Sequence, residues 1–282
     1  MSKIKSYAKI NLFLKVIGKN KKYHQLYSLI TQINLFDEIS IKENKNNKDN
    51  VYFSGAFKIK NKKNTITNLL YLTKNKFPIL KNKYFDIFVR KNIPVGSGLG
   101  GASSNATTVF NYLKKKFKIK ISDKKSKELL AKIGKDCPLF LNRKVKLIQS
   151  TGENFIEYQS KLNLQMLLIY PNYKISTKDV FFRFKKPLKK LNKKKLILNN
   201  KEKLLKICKF YGNDLLKSAH KTTSRLKSFT NLIEKIDNCN FYSMTGSGSV
   251  FFLIFNKKKS LLNAQKMIKK RNSFWTTLVK TI

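Results

Sequence analysis

Ile93-Pro94-Val95-Gly96-Ser97-Gly98-Leu99-Gly100-Gly101-Ala102-Ser103-Ser104-Asn105-Ala106 sets four glycines into the six positions from 96 to 101. Upstream, Phe85-Asp86-Ile87-Phe88-Val89 alternates and is rich in β formers, which predicts a strand. Downstream, Ala106, Val109, Phe110, Leu113 and Phe117 recur at helical spacing on one face. Ser103 or Ser104 is the expected cap of that helix, and Lys114, Lys115 and Lys116 suit the negative end of its dipole. Without a Cβ, glycine lets backbone N–H groups turn toward one point. A helix start adds unpaired donors and a partial positive charge. Strand, glycine turn and helix together make a binding place for phosphate.

Three readings of the stretch compete on the residues alone. A Walker A loop needs Gly-Lys-Ser/Thr at its end, and Gly101 is followed by Ala102, so that reading fails. Residues 96–101 fit the dinucleotide pattern G-x-G-x-x-G, with Asp123 as the acid expected about 20 residues on. A tight structural turn also fits.

A chain of 282 residues holds a sizeable core, in one or two domains. Its 41% hydrophobic and 12% aromatic content is that of a globular protein. No run of 18 apolar residues is present, so no membrane span is expected, and Met1-Ser2-Lys3-Ile4-Lys5 does not open a signal peptide. Cys137, Cys208 and Cys239 lack metal or disulfide spacing and read as free thiols in a reducing cytoplasm. Sixty-one Lys+Arg against 15 Asp+Glu give a net charge of +46, which invites a nucleic-acid partner. Such a partner needs clustered basic residues with aromatics between them, whereas these lysines are spread over almost every loop. They travel with Asn and Ile, whose codons are A/T-rich, so genomic base bias is the preferred cause. No specific nucleic acid is expected.

Residues 7–17 read as a buried strand on which Lys9 and Asn11, two apart, share a face. A lysine among apolar neighbours is costly unless an anion or partner meets it; the alternative is a solvated edge strand. A hairpin is expected around residues 51–57, and a helix capped by Thr67 begins at Thr67-Asn68-Leu69. A further helix spans 123–133, led by Ser122 and stopped by Gly134. Gly134-Lys135-Asp136-Cys137-Pro138 then holds one of only eight aspartates, in a place where a turn Asp can bond its own backbone. Near residues 150–165 the chain changes domain, and 165–170 opens a fresh strand. Thr245-Gly246-Ser247-Gly248-Ser249 lies before a strand at 250–255, and 260–270 reads as a helix. His220 is assigned a structural role.

The glycine stretch resembles the P-x-G-x-G-L-G-G-x-S-S-N-A loop of the GHMP kinases (galactokinase, homoserine kinase, mevalonate kinase and relatives). Thr245-Gly246-Ser247-Gly248 matches that family's third motif, and Gly134-Lys135-Asp136-Cys137-Pro138 resembles its G-A-D-V-P. Ala8-Lys9-Ile10-Asn11-Leu12-Phe13-Leu14, then Tyr23-His24 and a hydrophobic run to Asp37-Glu38-Ile39, is similar to one branch of the family. That branch phosphorylates a cytidyl diphosphate of 2-C-methyl-D-erythritol in the non-mevalonate isoprenoid pathway. Two departures stand out. Lys21-Lys22 replace the branch's Asp-Gly, and Val250-Phe251 follow the third motif where a small residue or Cys is common.

The resemblance implies an α+β fold with the two-domain GHMP kinase architecture. An ATP-binding domain over residues 1–155 and a substrate-binding domain over 156–282 would have the active site between them. It implies transfer of the ATP γ-phosphate to the acceptor's 2-hydroxyl, with Asp136 as base and Lys9 holding Asp136 ionised and stabilising the transferring charge. ATP, as Mg-ATP, would be held by Asn68, Lys91, Pro94, Gly96, Ser97, Gly98, Leu99, Gly100, Gly101, Ala102, Ser103 and Ser104. The cytidyl substrate would be held by Asn11, Tyr23, His24, Thr177, Phe181, Thr245, Gly246, Ser247 and Gly248, with Tyr23 and Phe181 sandwiching the cytosine. No protein ligand of the metal is assigned, and a cytoplasmic monomer or weak homodimer is expected.

Overall fold

A computed structural model describes residues 3–20, 24–57, 59, 64–152, 154–185, 191, 196–271 and 274–282. Two long strands, β1 (Ile4–Lys19) and β2 (His24–Asn44), pair with each other. By packing, the chain divides into two compact units that share these strands. The residues up to Ala8, Leu35–Val95 and Gly100–Arg143 form the first, and Lys9–Asn34, Gly96–Leu99 and Lys144–Ile282 form the second.

In the first unit, β3 (Asn50–Gly55) is followed by α1 (Thr65–Lys76), β4 (Tyr84–Lys91), α2 (Gly101–Lys116) and α3 (Asp123–Ile133). The hairpin expected around residues 51–57 is not formed. Instead β3 lies parallel to β4, with Val51 opposite Ile87, and parallel strands need a crossover, which α1 supplies. β2 continues to Asn44, antiparallel to β4, because its polar end is paired rather than turned: Glu43 meets Lys83 and Lys116, each at 3.1 Å. Phe85, Ile87 and Val89, on one face of β4, join Ile39 and Ile41 against Leu69, Leu70, Val109, Phe110, Leu113, Leu129 and Leu130 of the helices. Each such side chain fully buried is worth about 1.5–3 kcal/mol.

Two of the three helix caps drawn from the sequence shift. Asn64, not Thr67, caps α1: its Oδ1 accepts from the N–H groups of Ile66 and Thr67, and Thr67 Oγ1 accepts from Asn64 N, a reciprocal capping box. At α2 the cap is Gly100, in the left-handed region at φ +73°, with no side-chain cap bond. Ser104 lies within the helix, where Ser104 Oγ donates to the Tyr7 carbonyl at 2.6 Å and pins α2 to β1. α3 starts at Ser122 and stops at Gly134 as the residues predicted.

In the second unit, β5 (Val145–Ile148) pairs with residues 28–30 of β2, and β6 (Phe155–Tyr158) pairs with β5. A separate antiparallel sheet is built from β7 (Gln165–Tyr170), β8 (Cys239–Met244), β9 (Phe251–Phe255) and β10 (Trp275–Lys280), in the order β10-β7-β9-β8. Between these strands run α4 (Thr177–Phe182), α5 (Lys201–Tyr211), α6 (Leu216–His220), α7 (Ser224–Glu234) and α8 (Lys258–Arg271). Leu167, Ile169, Phe251 and Leu253 meet Ala219, Leu226, Phe229, Ile233, Leu261 and Ile268 in its core. His220 Nε2 bonds Thr230 Oγ1 at 2.9 Å, tying α6 to α7.

Candidate active site

In the second unit, Lys9 is 4% exposed, which rules out the solvated edge lysine. Its ammonium donates to Asn11 Oδ1 at 2.6 Å and to the Gly98 carbonyl at 2.8 Å. Asn11 in turn donates to Ser28 Oγ at 2.8 Å, and its backbone N–H reaches Thr245 Oγ1 at 3.0 Å. The shared strand face read from the sequence therefore becomes a buried polar cluster, each group held by the next. Buried polar groups are tolerated when bonded in this way.

The two glycine segments of this unit interlock. Val250 N donates to the Ser97 carbonyl at 3.2 Å, and a Cβ on Gly98 would lie 2.2 Å from the Thr245 carbonyl oxygen. Gly96, Gly98, Gly246 and Gly248 all have positive φ. The turn at residues 245–248 closes through Gly248 N to the Thr245 carbonyl at 3.0 Å, and Ser247 Oγ bonds Thr177 Oγ1 at 2.8 Å. Nearby in the same unit, the His24 ring stacks on Phe181 at 4.9 Å, with Phe184 edge-on. Burial, helped by Lys19, holds the His24 pKa below its ordinary value. Tyr23 lies outside the described residues.

In the first unit, the first intrahelical bond of α2 runs from Ser104 N to Gly100 O, which leaves the N–H groups of Gly101, Ala102 and Ser103 in the helix's opening turn. Thr65 Oγ1 donates to the Ala102 carbonyl, placing the start of α1, with exposed Asn68 one turn on, beside it. Asp136 precedes a short 3-10 turn, Cys137–Phe140. Thr107 Oγ1 of α2 donates to the carbonyls of both Ser103 and Cys137, so the Asp136 turn is fastened to the helix that the glycine loop opens. Burial raises the Cys137 thiol to about 11, so it remains protonated.

Lys91 is 2% exposed and its ammonium is bonded to the carboxylate of Asp37, itself wholly buried. Asp37 also accepts from Asn92 N at 2.7 Å and Ile93 N at 2.9 Å, immediately before Pro94. Sequence reasoning had given Asp37 no role of its own. The sequence carried only a weak signal for it, an Asp-Glu pair closing the apolar stretch Leu35-Phe36. Among the described residues, no group of three or more His, Cys, Asp or Glu side chains is placed to hold a metal ion, and no helix is long and apolar enough to cross a membrane.

Residues 64–141 match the GHMP kinases N terminal domain. A crystal structure of mevalonate kinase superposes with a TM-score of 0.68 at 15% identity, covering 100% of this chain and 99% of that one. The chain thus carries a GHMP kinases N terminal domain within a fold that mevalonate kinase shares.

A relative from Pelagibacter ubique (strain HTCC1062), 4-diphosphocytidyl-2-C-methyl-D-erythritol kinase, is 36% identical over 99% of both chains. The protein of that name from Buchnera aphidicola subsp. Schizaphis graminum is 33% identical over 98% of this chain and 91% of its own. A crystal structure of 4-(cytidine 5'-diphospho)-2C-methyl-D-erythritol kinase superposes with a TM-score of 0.76 at 20% identity, covering 99% of each. The chain belongs to the 4-diphosphocytidyl-2-C-methyl-D-erythritol kinase family.

Proposed function

We infer that the chain transfers the γ-phosphate of ATP to the 2-hydroxyl of 4-diphosphocytidyl-2-C-methyl-D-erythritol, in the non-mevalonate route to isoprenoid precursors. Full-length identity of 36% with a relative bearing that name carries the reading. The buried Lys9 ammonium, held by Asn11 and the Gly98 carbonyl, supports it.

Phosphoryl transfer asks for positioning and charge neutralisation more than for covalent help. The opening turn of α2 and the glycines before it receive the triphosphate with N–H groups and the helix dipole. The turn at residues 245–248 meets the transferring group. Asp136 accepts the hydroxyl proton as the acceptor oxygen bonds the γ-phosphorus and the bond to the β,γ-bridging oxygen breaks, releasing ADP. Lys9 offsets the developing charge. His24 and Phe181 receive the cytosine: a flat ring stacked on another, with one neutral imidazole that can hydrogen-bond, suits a base. Magnesium enters on the ATP phosphates as part of the substrate, and the enzyme works in the cytoplasm as a monomer or weak dimer.

A coupled assay of ADP release tests this, with the cytidyl substrate, mevalonate and homoserine offered in turn. Turnover confined to the cytidyl substrate is expected. Turnover with mevalonate or homoserine instead contradicts it.

A further inference from the structure

We propose that Asn213 is a positioning residue for the transfer: its amide fixes the peptide plane between Gly246 and Ser247, and so the direction of the Ser247 N–H. The proposal rests on the kinase reading above. Asn213 Nδ2 donates to the Met244 carbonyl at 2.6 Å and to the Gly246 carbonyl at 2.9 Å, and Asn213 Oδ1 accepts from Leu215 N at 2.9 Å. Both donor hydrogens and the acceptor of the amide are thus engaged.

A trans peptide is planar, so a carbonyl and the N–H that follows it point in opposite directions. Drawing the Met244 carbonyl to Asn213 sends Thr245 N the other way, where it donates to Val250 O at 3.0 Å. Drawing the Gly246 carbonyl to Asn213 likewise turns Ser247 N–H away from Asn213. Gly246 is also the residue packed on the Lys9 cluster: a Cβ there would stand 3.5 Å from both Lys9 Nζ and Asn11 Oδ1. The Ser247 N–H, on the residue after the glycine packed against the buried lysine, is therefore a donor fixed in direction, of the kind a transferring phosphoryl group needs.

The residues flanking Asn213 fasten it to β1, the strand that carries Lys9. Leu14 N donates to the Gly212 carbonyl and Asp214 N to the Leu14 carbonyl, each at 2.8 Å. The Asp214 carboxylate takes Lys15 Nζ at 2.7 Å and Val16 N at 3.1 Å. Residues 212–214 thus grip the strand on one side and the glycine turn on the other. Gly212, at φ +59°, ends α5 and lets the chain enter this clamp.

The experiment compares the parent with Asn213→Asp, nearly isosteric but without donors, and with Asn213→Ala. Amide hydrogen exchange is followed by peptide, beside kcat and both KM values per folded enzyme. Exchange should quicken over residues 244–249 while β7 and α5 keep parental protection. Misplacement of a group near the chemistry costs about 100-fold, so kcat should fall on that order. KM for the cytidyl substrate should rise several-fold while KM for ATP stays within about twofold, a split that mere loss of folded protein does not produce. Parental exchange over 244–249 in both variants, or kcat within about twofold of the parent, overturns the proposal. So does loss of protection throughout the second unit in both, since Asn213 would then hold the fold and not the turn. Failure of the kinase reading shows separately, as a parent with no turnover of the cytidyl substrate.

Discussion

The α-carbon of Gly98 lies so close to Thr245 that a methyl group on it would stand 2.2 Å from the Thr245 carbonyl oxygen. Glycine is required at 98 by a second turn of the protein, whatever the loop binds. The left-handed φ of +82° adds a conformational demand. Gly98→Ala must therefore move backbone in both turns, while Gly100→Ala meets at least the strain of its own φ of +73°, about 1–2 kcal/mol. Thermal melts should show Gly98→Ala the less stable of the two, and ATP titration should show both weakened. A parental melting temperature for Gly98→Ala would contradict the interlock.

Asp37 and Lys91 are a buried pair whose carboxylate also holds residues 92 and 93, just before the glycine loop. Removing one partner leaves an uncompensated charge, so Asp37→Asn should destabilise by about 3–5 kcal/mol in urea unfolding. The apolar double variant Asp37→Leu/Lys91→Met should recover most of that stability, yet bind ATP more weakly, because residues 92 and 93 lose their acceptor. Equal stability for the single and double variants would show that the pair is not coupled.

Phe181 stacks on His24 and meets the hydrophobic core only at its edge. Phe181→Ala should weaken the cytidyl substrate by about 1–3 kcal/mol, the usual worth of stacking a base, and spare ATP. Calorimetric titration of each ligand decides; equal losses would make Phe181 a packing residue.

Both described histidines titrate below their ordinary 6.5, His24 through burial and Lys19, His220 through burial and Lys227 against a smaller opposing pull from Glu234. In the window between the folded and unfolded values, the unfolded chain binds more protons than the folded one. Stability should accordingly fall as pH drops through 6.5 and level off below the folded values. Urea midpoints between about pH 8 and pH 5.5 should show this fall, and His24→Gln/His220→Gln should flatten it. A midpoint that rises on acidification over that range contradicts it.

Much of this was legible in local sequence. The alternation of residues 85–89, the helical spacing after Ala106 and the Ser122–Gly134 bracket each describe a short-range event, and each was found where expected. The misreadings were long-range. Nothing near Val51 announces that β3 pairs in parallel with β4, because that choice is made by a crossover helix and a shared core. Thr67 and Asn64 are both residue types that suit an N-cap, and only the geometry of the helix start ranks them. At the site, Lys9 and Asn11 were visible as polar residues on an apolar strand. Asn213 and Asp37 were not, since Asn213 holds carbonyls more than 30 residues away and Asp37 meets Lys91 and two backbone N–H groups more than 50 residues away.

The most direct test is phosphorus NMR of parent and Asp136→Asn protein with Mg-ATP and 4-diphosphocytidyl-2-C-methyl-D-erythritol. The parent should convert ATP to ADP and build a new phosphomonoester resonance coupled to the methylerythritol carbon that bears the methyl group. Asp136→Asn should form the same product slower by about 10²–10⁴-fold, the usual worth of a general base, with both substrates still bound. A phosphomonoester on another hydroxyl, no product from the parent, or an Asp136→Asn rate within a few-fold of the parent would contradict it.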